Sequence, residues 1–226
     1  MPSWNASPNC ERQLSGVSAL QPAAAAPTTD PTTLADGIAA LPQAAEDRTG
    51  YERTKFKHWI DADHDRCTTR SEVLIAESRT APTIEGTCTV TAGEWFSYYD
   101  GKTLTDPKGL DIDHMVPLAE AWDSGASQWS AKHREAYAND LYADRSLIAV
   151  TAKTNRSKAD QDPAQWLPPA ANAHCTYAAD WVSTKLRWKL TADKAETETL
   201  NEIAANCPTT PIDAAAADAP ADTDHA

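Results

Sequence analysis

GLDIDHMVPLAEAW (109–122) and SLIAVTAKTNRSK (146–158) are the two stretches on which the fold turns. In the first, Leu110 and Ile112 alternate with Asp111 and Asp113, the period-2 pattern of a strand with one buried face. SLIAV (146–150) is a short continuous apolar strand, and TAKTNRSKAD (151–160) begins a helix with Thr151 or Thr154 as its N-cap. Between the strands, PLAEAWDSGA (117–126) and SAKHREAYANDL (130–141) read as helices whose apolar contacts are Leu118, Ala121 and Trp122, then Tyr137 and Leu141. The order is strand, helical insertion, strand, helix, which places the chain in the α+β class. Just upstream, TCTVTAGEWFSYYDGKTLTD (87–106) supplies strand formers broken by the turn signals AGE and DGK, the pattern of a β-hairpin or meander.

Working outward, the 226 residues allow one domain with a real core plus tails. No apolar run approaches the roughly 18 to 20 residues that span a bilayer, so a helical membrane protein is excluded. The net charge of −13 excludes a protein that coats nucleic acid through charge alone, so any phosphate site must be local. Residues 1–49 and 209–226 are rich in Ala, Pro, Thr and Asp and are expected to be disordered, apart from a short helix permitted by Leu34, Ile38 and Leu41. The folded unit is expected to span residues 50–208.

The five cysteines contain no CxxC pair, the spacing by which zinc and redox motifs usually announce themselves. Four lie within the expected body, and sequence-local pairing predicts bridges Cys67–Cys88 and Cys175–Cys207, with Cys10 left over. Disulfides imply an oxidising compartment and hence a secreted protein. The opening MPSWNASPNCERQLSGVSAL shows no basic segment followed by an apolar one, so that expectation stands without a visible signal peptide.

The chemistry-bearing side chains gather on the strand–helix–strand–helix frame. Asp113 and His114 close the first strand, Asn139 precedes the second, and Asn155 sits on the last helix. Between residues 145 and 158 the cations Arg145, Lys153, Arg156 and Lys158 occur without an acid, a local positive segment in an acidic chain.

DIDHMVPLAEAW (111–122), LIAVT (147–151) and NRSKADQDPAQW (155–166) closely resemble the secreted HNH-family endonucleases related to the C-terminal nuclease domain of GmrSD-type restriction enzymes. The likeness runs from about Gly50 to Cys207. It implies a ββα-metal core in which two strands carry the first histidine and a middle asparagine and the helix carries the third member. Here the third place falls on Asn155 rather than a histidine.

Phosphodiester hydrolysis requires an activated water and neutralisation of charge on the phosphoryl and leaving oxygens. His114 is the candidate general base. Asp113 and Asn155 offer oxygen ligands suited to a hard divalent ion such as Mg²⁺. Asn139 is expected to orient His114, with turn capping as its plain alternative. Lys158 is expected at the chemistry, with Arg156, Lys153 and Arg145 on substrate phosphates, and Asp111 is supporting or exposed. The expected activity is metal-dependent cleavage of DNA or RNA.

DADHDRCTTRSE (61–72) sets Asp61, Asp63, Asp65 and Glu72 at positions 1, 3, 5 and 12 of an EF-hand-like calcium loop, with Arg66 where glycine normally makes the turn. A solvated acidic loop is the alternative. The competing function is a non-catalytic extracellular module that uses this loop for calcium on a nuclease-like scaffold. His58, His133 and His174 are read as structural, and Trp59, Trp95, Trp122, Trp166, Trp181 and Trp188 as core or core edge.

Overall fold

The computed structural model describes residues 31–220 and 222. Residues 1–30, with Cys10 and most of the N-terminal Ala/Pro stretch, lie outside the described residues. In chain order come α1 (Leu34–Ala40), α2 (Thr69–Ala76), β1 (Thr83–Glu85), β2 (Thr89–Ala92), β3 (Trp95–Ser97), β4 (Lys102–Leu104) and β5 (Leu110–His114). They are followed by α3 (Leu118–Asp123), α4 (Ala131–Ala138), β6 (Leu147–Thr151), α5 (Ala152–Lys158), α6 (His174–Arg187) and α7 (Lys194–Ala204). The strands form three antiparallel pairs, β1 with β2, β3 with β4 and β5 with β6. The fold is thus mixed α and β, with helices packed around small antiparallel sheets.

The β5–β6 pair organises the centre, with Leu110 opposite Thr151, Ile112 opposite Ala149 and His114 opposite Leu147. Leu110 and Ile112 on β5, with Leu147 and Ala149 on β6, pack against Val73, Leu74 and Trp95. Ile148 and Val150 turn to the other side and join the main core with Tyr99, Met115, Tyr177 and Trp181. Both faces of β6 are covered, which is why its sequence is apolar without alternation. The Asp face of β5 is covered as well, leaving Asp113 only 5% exposed. Alternation promised one buried face, but α5 folds back over the other.

Bridges Cys67–Cys88 and Cys175–Cys207 form as expected, with Cα separations of 5.2 and 6.2 Å. The second ties the start of α6 to the residues after α7. Helix α7 begins with a capping box in which Asp193 accepts from the Glu196 N–H, and the Glu196 carboxylate also meets the Lys185 ammonium at 2.6 Å.

Packing extends beyond the expected limits of 50 and 208, a correction to the tails. Leu34 is fully buried, Ile38 and Leu41 nearly so, and Thr33 bridges Pro211. Ile212, Ala217 and Ala219 lie against the main core. Composition hid these anchors because a few apolar residues suffice when they recur on one helix face. Gly37 permits the approach: a Cβ there would stand 2.4 Å from Ile212 Cδ1 and 2.8 Å from Val182 Cγ1.

Candidate active site

Strand β6 runs away from the His114 end of the pair, and α5 follows it directly and returns across the sheet. Its successive turns therefore meet successive acids of β5. Asn155 Nδ2 lies 3.4 Å and Arg156 Nε 3.2 Å from Asp111 Oδ2, and Lys158 Nζ lies 2.5 Å from Asp113 Oδ2. Thr151 occupies the cap position, but its hydroxyl donates to Asp100 and meets the Thr154 hydroxyl instead of accepting from a helix backbone N–H.

Lys158 is fully buried, and its ammonium also donates to the carbonyls of His114 at 3.1 Å and Met115 at 2.8 Å. No part of it can touch a phosphate. This corrects the expectation of a lysine at the reacting atoms: Lys158 pins the strand end on which Asp113 and His114 sit. Asp113 Oδ2 also accepts from Tyr99 OH at 2.7 Å, whereas Oδ1 takes no hydrogen bond among the described residues. Burial raises the Asp113 carboxyl above the usual range, with the Lys158 ammonium pulling the other way.

His114 Nε2 lies 3.0 Å from the Ala138 carbonyl oxygen. A carbonyl only accepts, so Nε2 carries the proton and the lone pair is left on Nδ1. Burial pushes the imidazole down to about 3, and the charges of Arg53, His58 and Lys158 act in the same direction. His114 is therefore a neutral imidazole across the physiological range, with 6% of its surface exposed.

Asn139 takes a different part from the one expected. Its Oδ1 accepts from Ile60 N at 3.2 Å and Thr69 Oγ1 at 2.8 Å, and its Nδ2 donates to Lys57 O at 2.9 Å and Glu135 O at 2.7 Å. With all four hydrogen-bonding positions engaged, the amide staples the 57–69 loop to the end of α4. Orientation of His114 passes to the backbone carbonyl of the preceding residue, Ala138.

Of the expected phosphate contacts, Lys153, Arg156 and Arg145 are exposed. Arg145 precedes β6 at the His114 end, with its guanidinium 5.4 Å from the Tyr98 ring centre. Sequence reasoning passed over two neighbours of His114. The Trp59 ring centre lies 5.4 Å and the His58 ring centre 6.3 Å from that of His114. The only signal was aromatic and imidazole residues adjacent in FKHW (56–59), which reads equally well as core.

Three acidic groups among the described residues bring carboxylate oxygens within 4.8 Å of one another, and none includes Asp113: Glu46 with Asp162 and Asp193, Glu46 with Glu120 and Asp123, and Asp61 with Asp63 and Asp65. In the last, Arg66 takes φ +76°, so an arginine makes the turn expected of glycine. Burial, then the charges of Asp63, Asp65 and Asp61, raise Glu72, placing it within their field. Asp61 Oδ1 and Glu72 Oε2 are buried without a hydrogen-bond partner.

Residues 68–203 match the family of GmrSD restriction endonucleases, C-terminal domain. A protein of Arthroderma benhamiae, named as an uncharacterized secreted protein, is 41% identical over 175 residues, 77% of this chain and 83% of that protein. No solved structure matches the chain. No helix among the described residues is long and apolar enough to cross a membrane.

Proposed function

We propose, from the premise that this chain belongs to the family of GmrSD restriction endonuclease C-terminal domains, that it is a secreted, metal-dependent endonuclease of the HNH type that hydrolyses phosphodiester bonds in DNA or RNA. The observation that carries this reading is the connection of Asp113-His114 at the end of β5, through the antiparallel β6, to Asn155 on α5. That is the order of a ββα-metal core. The two disulfides and the name of the Arthroderma relative support export.

In this reading His114 Nδ1 takes the proton of the attacking water, since its other nitrogen is held as N–H by Ala138. Asp113 Oδ1 and Asn155 Oδ1 would hold the divalent ion, Mg²⁺ being suited to an all-oxygen set. Such an ion, when bound, neutralises charge on the phosphoryl oxygens. Lys158 and Tyr99 fix Asp113 so that one carboxylate oxygen is spoken for and the other is left to ligate. Lys153, Arg156 and Arg145 meet phosphates of the strand; the Arg156 pair with Asp111 is a surface contact worth about 0 to 1 kcal/mol and gives way readily. Cleavage of plasmid DNA and of RNA with and without chelator tests the reading.

A structural calcium ion at the 61–72 loop is a second element, favoured by the two buried carboxylate oxygens that lack a donor there. It serves the fold, and the calcium-binding-module alternative follows only where cleavage is absent.

A further inference from the structure

The loop before α2 forms a wall around His114. Phe56 is buried in the core, and Asn139 grips Lys57 O and Ile60 N. The residues between them, His58 and Trp59, are thereby held against His114. Trp59 sits at φ +59°, a left-handed backbone that a bulky side chain rarely adopts. The surrounding grip sustains it, and the result is that two successive rings of the loop face the same imidazole.

His58 is half-buried, and its Nδ1 lies 2.8 Å from the Phe56 carbonyl oxygen. Nδ1 is therefore the donor, and Nε2 is the nitrogen left to serve a ligand. His58 meets His114 edge to face, with ring centres 6.3 Å apart and planes at 80°. With the two rings this close, both imidazoles border one site, where each can address a different oxygen of the same phosphodiester. Arg53, exposed on the short turn Arg53–Lys55, supplies positive charge beside them.

We propose that His58 is a second catalytic residue of the hydrolysis, the general acid that protonates the leaving oxygen. The assignment rests on the nuclease reading above. As water attacks, its oxygen bonds to phosphorus and its proton passes to His114 Nδ1. The bond from phosphorus to the leaving oxygen breaks with its electron pair on that oxygen, which takes the Nε2 proton of a His58 imidazolium whose Nδ1–H stays on the Phe56 carbonyl. Exchange with solvent returns the proton to His58 and removes the one on His114.

The test compares DNA with bis(p-nitrophenyl) phosphate, whose leaving group departs as a phenolate and needs no proton. His58→Asn keeps an amide N–H at the position of Nδ1, so the Phe56 contact survives; His58→Ala removes it, and circular dichroism checks the fold of both. Full-length protein with Mg²⁺ should lose about 10² to 10⁴ in rate on DNA in His58→Asn. The loss on the activated ester should be smaller by at least about 10². His114→Ala should lose both activities together. Equal losses of His58→Asn on the two substrates, or no loss on DNA, overturn the general-acid assignment while the nuclease reading stands. A parent inert on both substrates overturns the nuclease reading, and the assignment with it.

Discussion

Lys158 Nζ lies 2.5 Å from Asp113 Oδ2, and the two side chains are 0% and 6% exposed. Burying two charges to this depth is not a route to stability, because their desolvation offsets most of the attraction. The pair is better understood by what it orients. The same ammonium holds the carbonyls of His114 and Met115, so one buried cation sets the Asp113 carboxylate and the backbone that carries His114.

Removing one partner leaves the other charge buried alone. Lys158→Met should lose about 3 to 5 kcal/mol of stability, and Asp113→Asn with Lys158→Met should regain most of it, because no uncompensated charge remains. Denaturant unfolding followed by tryptophan fluorescence measures both. A double variant no more stable than the single one would show that the lysine acts through packing.

The β5, β6 and α5 elements were legible because their patterns are local: alternation in Leu110–Asp113, an unbroken apolar run at Leu147–Val150, and a helix start at Thr151. Helices 117–126 and 130–141 were legible for the same reason, ending in the structure at Asp123 and Ala138. What failed depends on distance in space. Lys158 looked like a side chain at the chemistry because a lysine in a basic run is normally solvated, and only the return of α5 over Asp113 buries it. Asn139 looked like a partner of His114, and the 57–69 loop claimed its amide. His58, 56 residues before His114 in sequence, carried no pattern that linked the two.

Calcium should bind the 61–72 loop and stabilise the folded chain. The expected rise follows RT ln(1 + [Ca²⁺]/Kd), about 2.7 kcal/mol at a hundredfold excess over Kd. Thermal melts with millimolar calcium should shift upward in the parent and not in Asp63→Ala, with magnesium at equal concentration as the control. No shift in the parent would leave the loop as a solvated acidic turn.

Glu77 carries a pH dependence of known sign. Its Oε2 accepts from Ala149 N at 3.0 Å, and burial raises the carboxyl from its ordinary 4.5 to about 7. A raised folded-state value means a stability contribution fully present below pH 4.5 and lost as pH rises through about 7. Glu77→Gln keeps an acceptor for Ala149 without the charge. It should match the parent near pH 4.5 and exceed it at pH 8, by about 1 to 3 kcal/mol. Urea unfolding at the two pH values decides it, and a constant difference between the proteins would place the titration elsewhere.

In the proposed mechanism the chemistry divides among His114, Asp113 and Arg156 in ways that separate experimentally. The full chain should cut DNA only with a divalent cation. His114→Ala should lose about 10² to 10⁴ in rate at every metal concentration, because Nδ1 acts on the water proton and no added ion replaces it. Asp113→Asn keeps one oxygen but removes the charge, so it should raise the Mg²⁺ concentration needed and recover in part when more is supplied. Lys158 is left buried without its anion in that variant, so the comparison is made below its unfolding midpoint, with fold checked by circular dichroism. Arg156 is 74% exposed and pairs with Asp111 across the surface; Arg156→Ala should lower affinity for DNA and reduce the salt dependence of binding by about one phosphate contact, with the rate at saturation kept. Cleavage by His114→Ala at the parental rate, or by the parent in excess chelator, would remove the HNH mechanism and leave the calcium-loop module as the function to test.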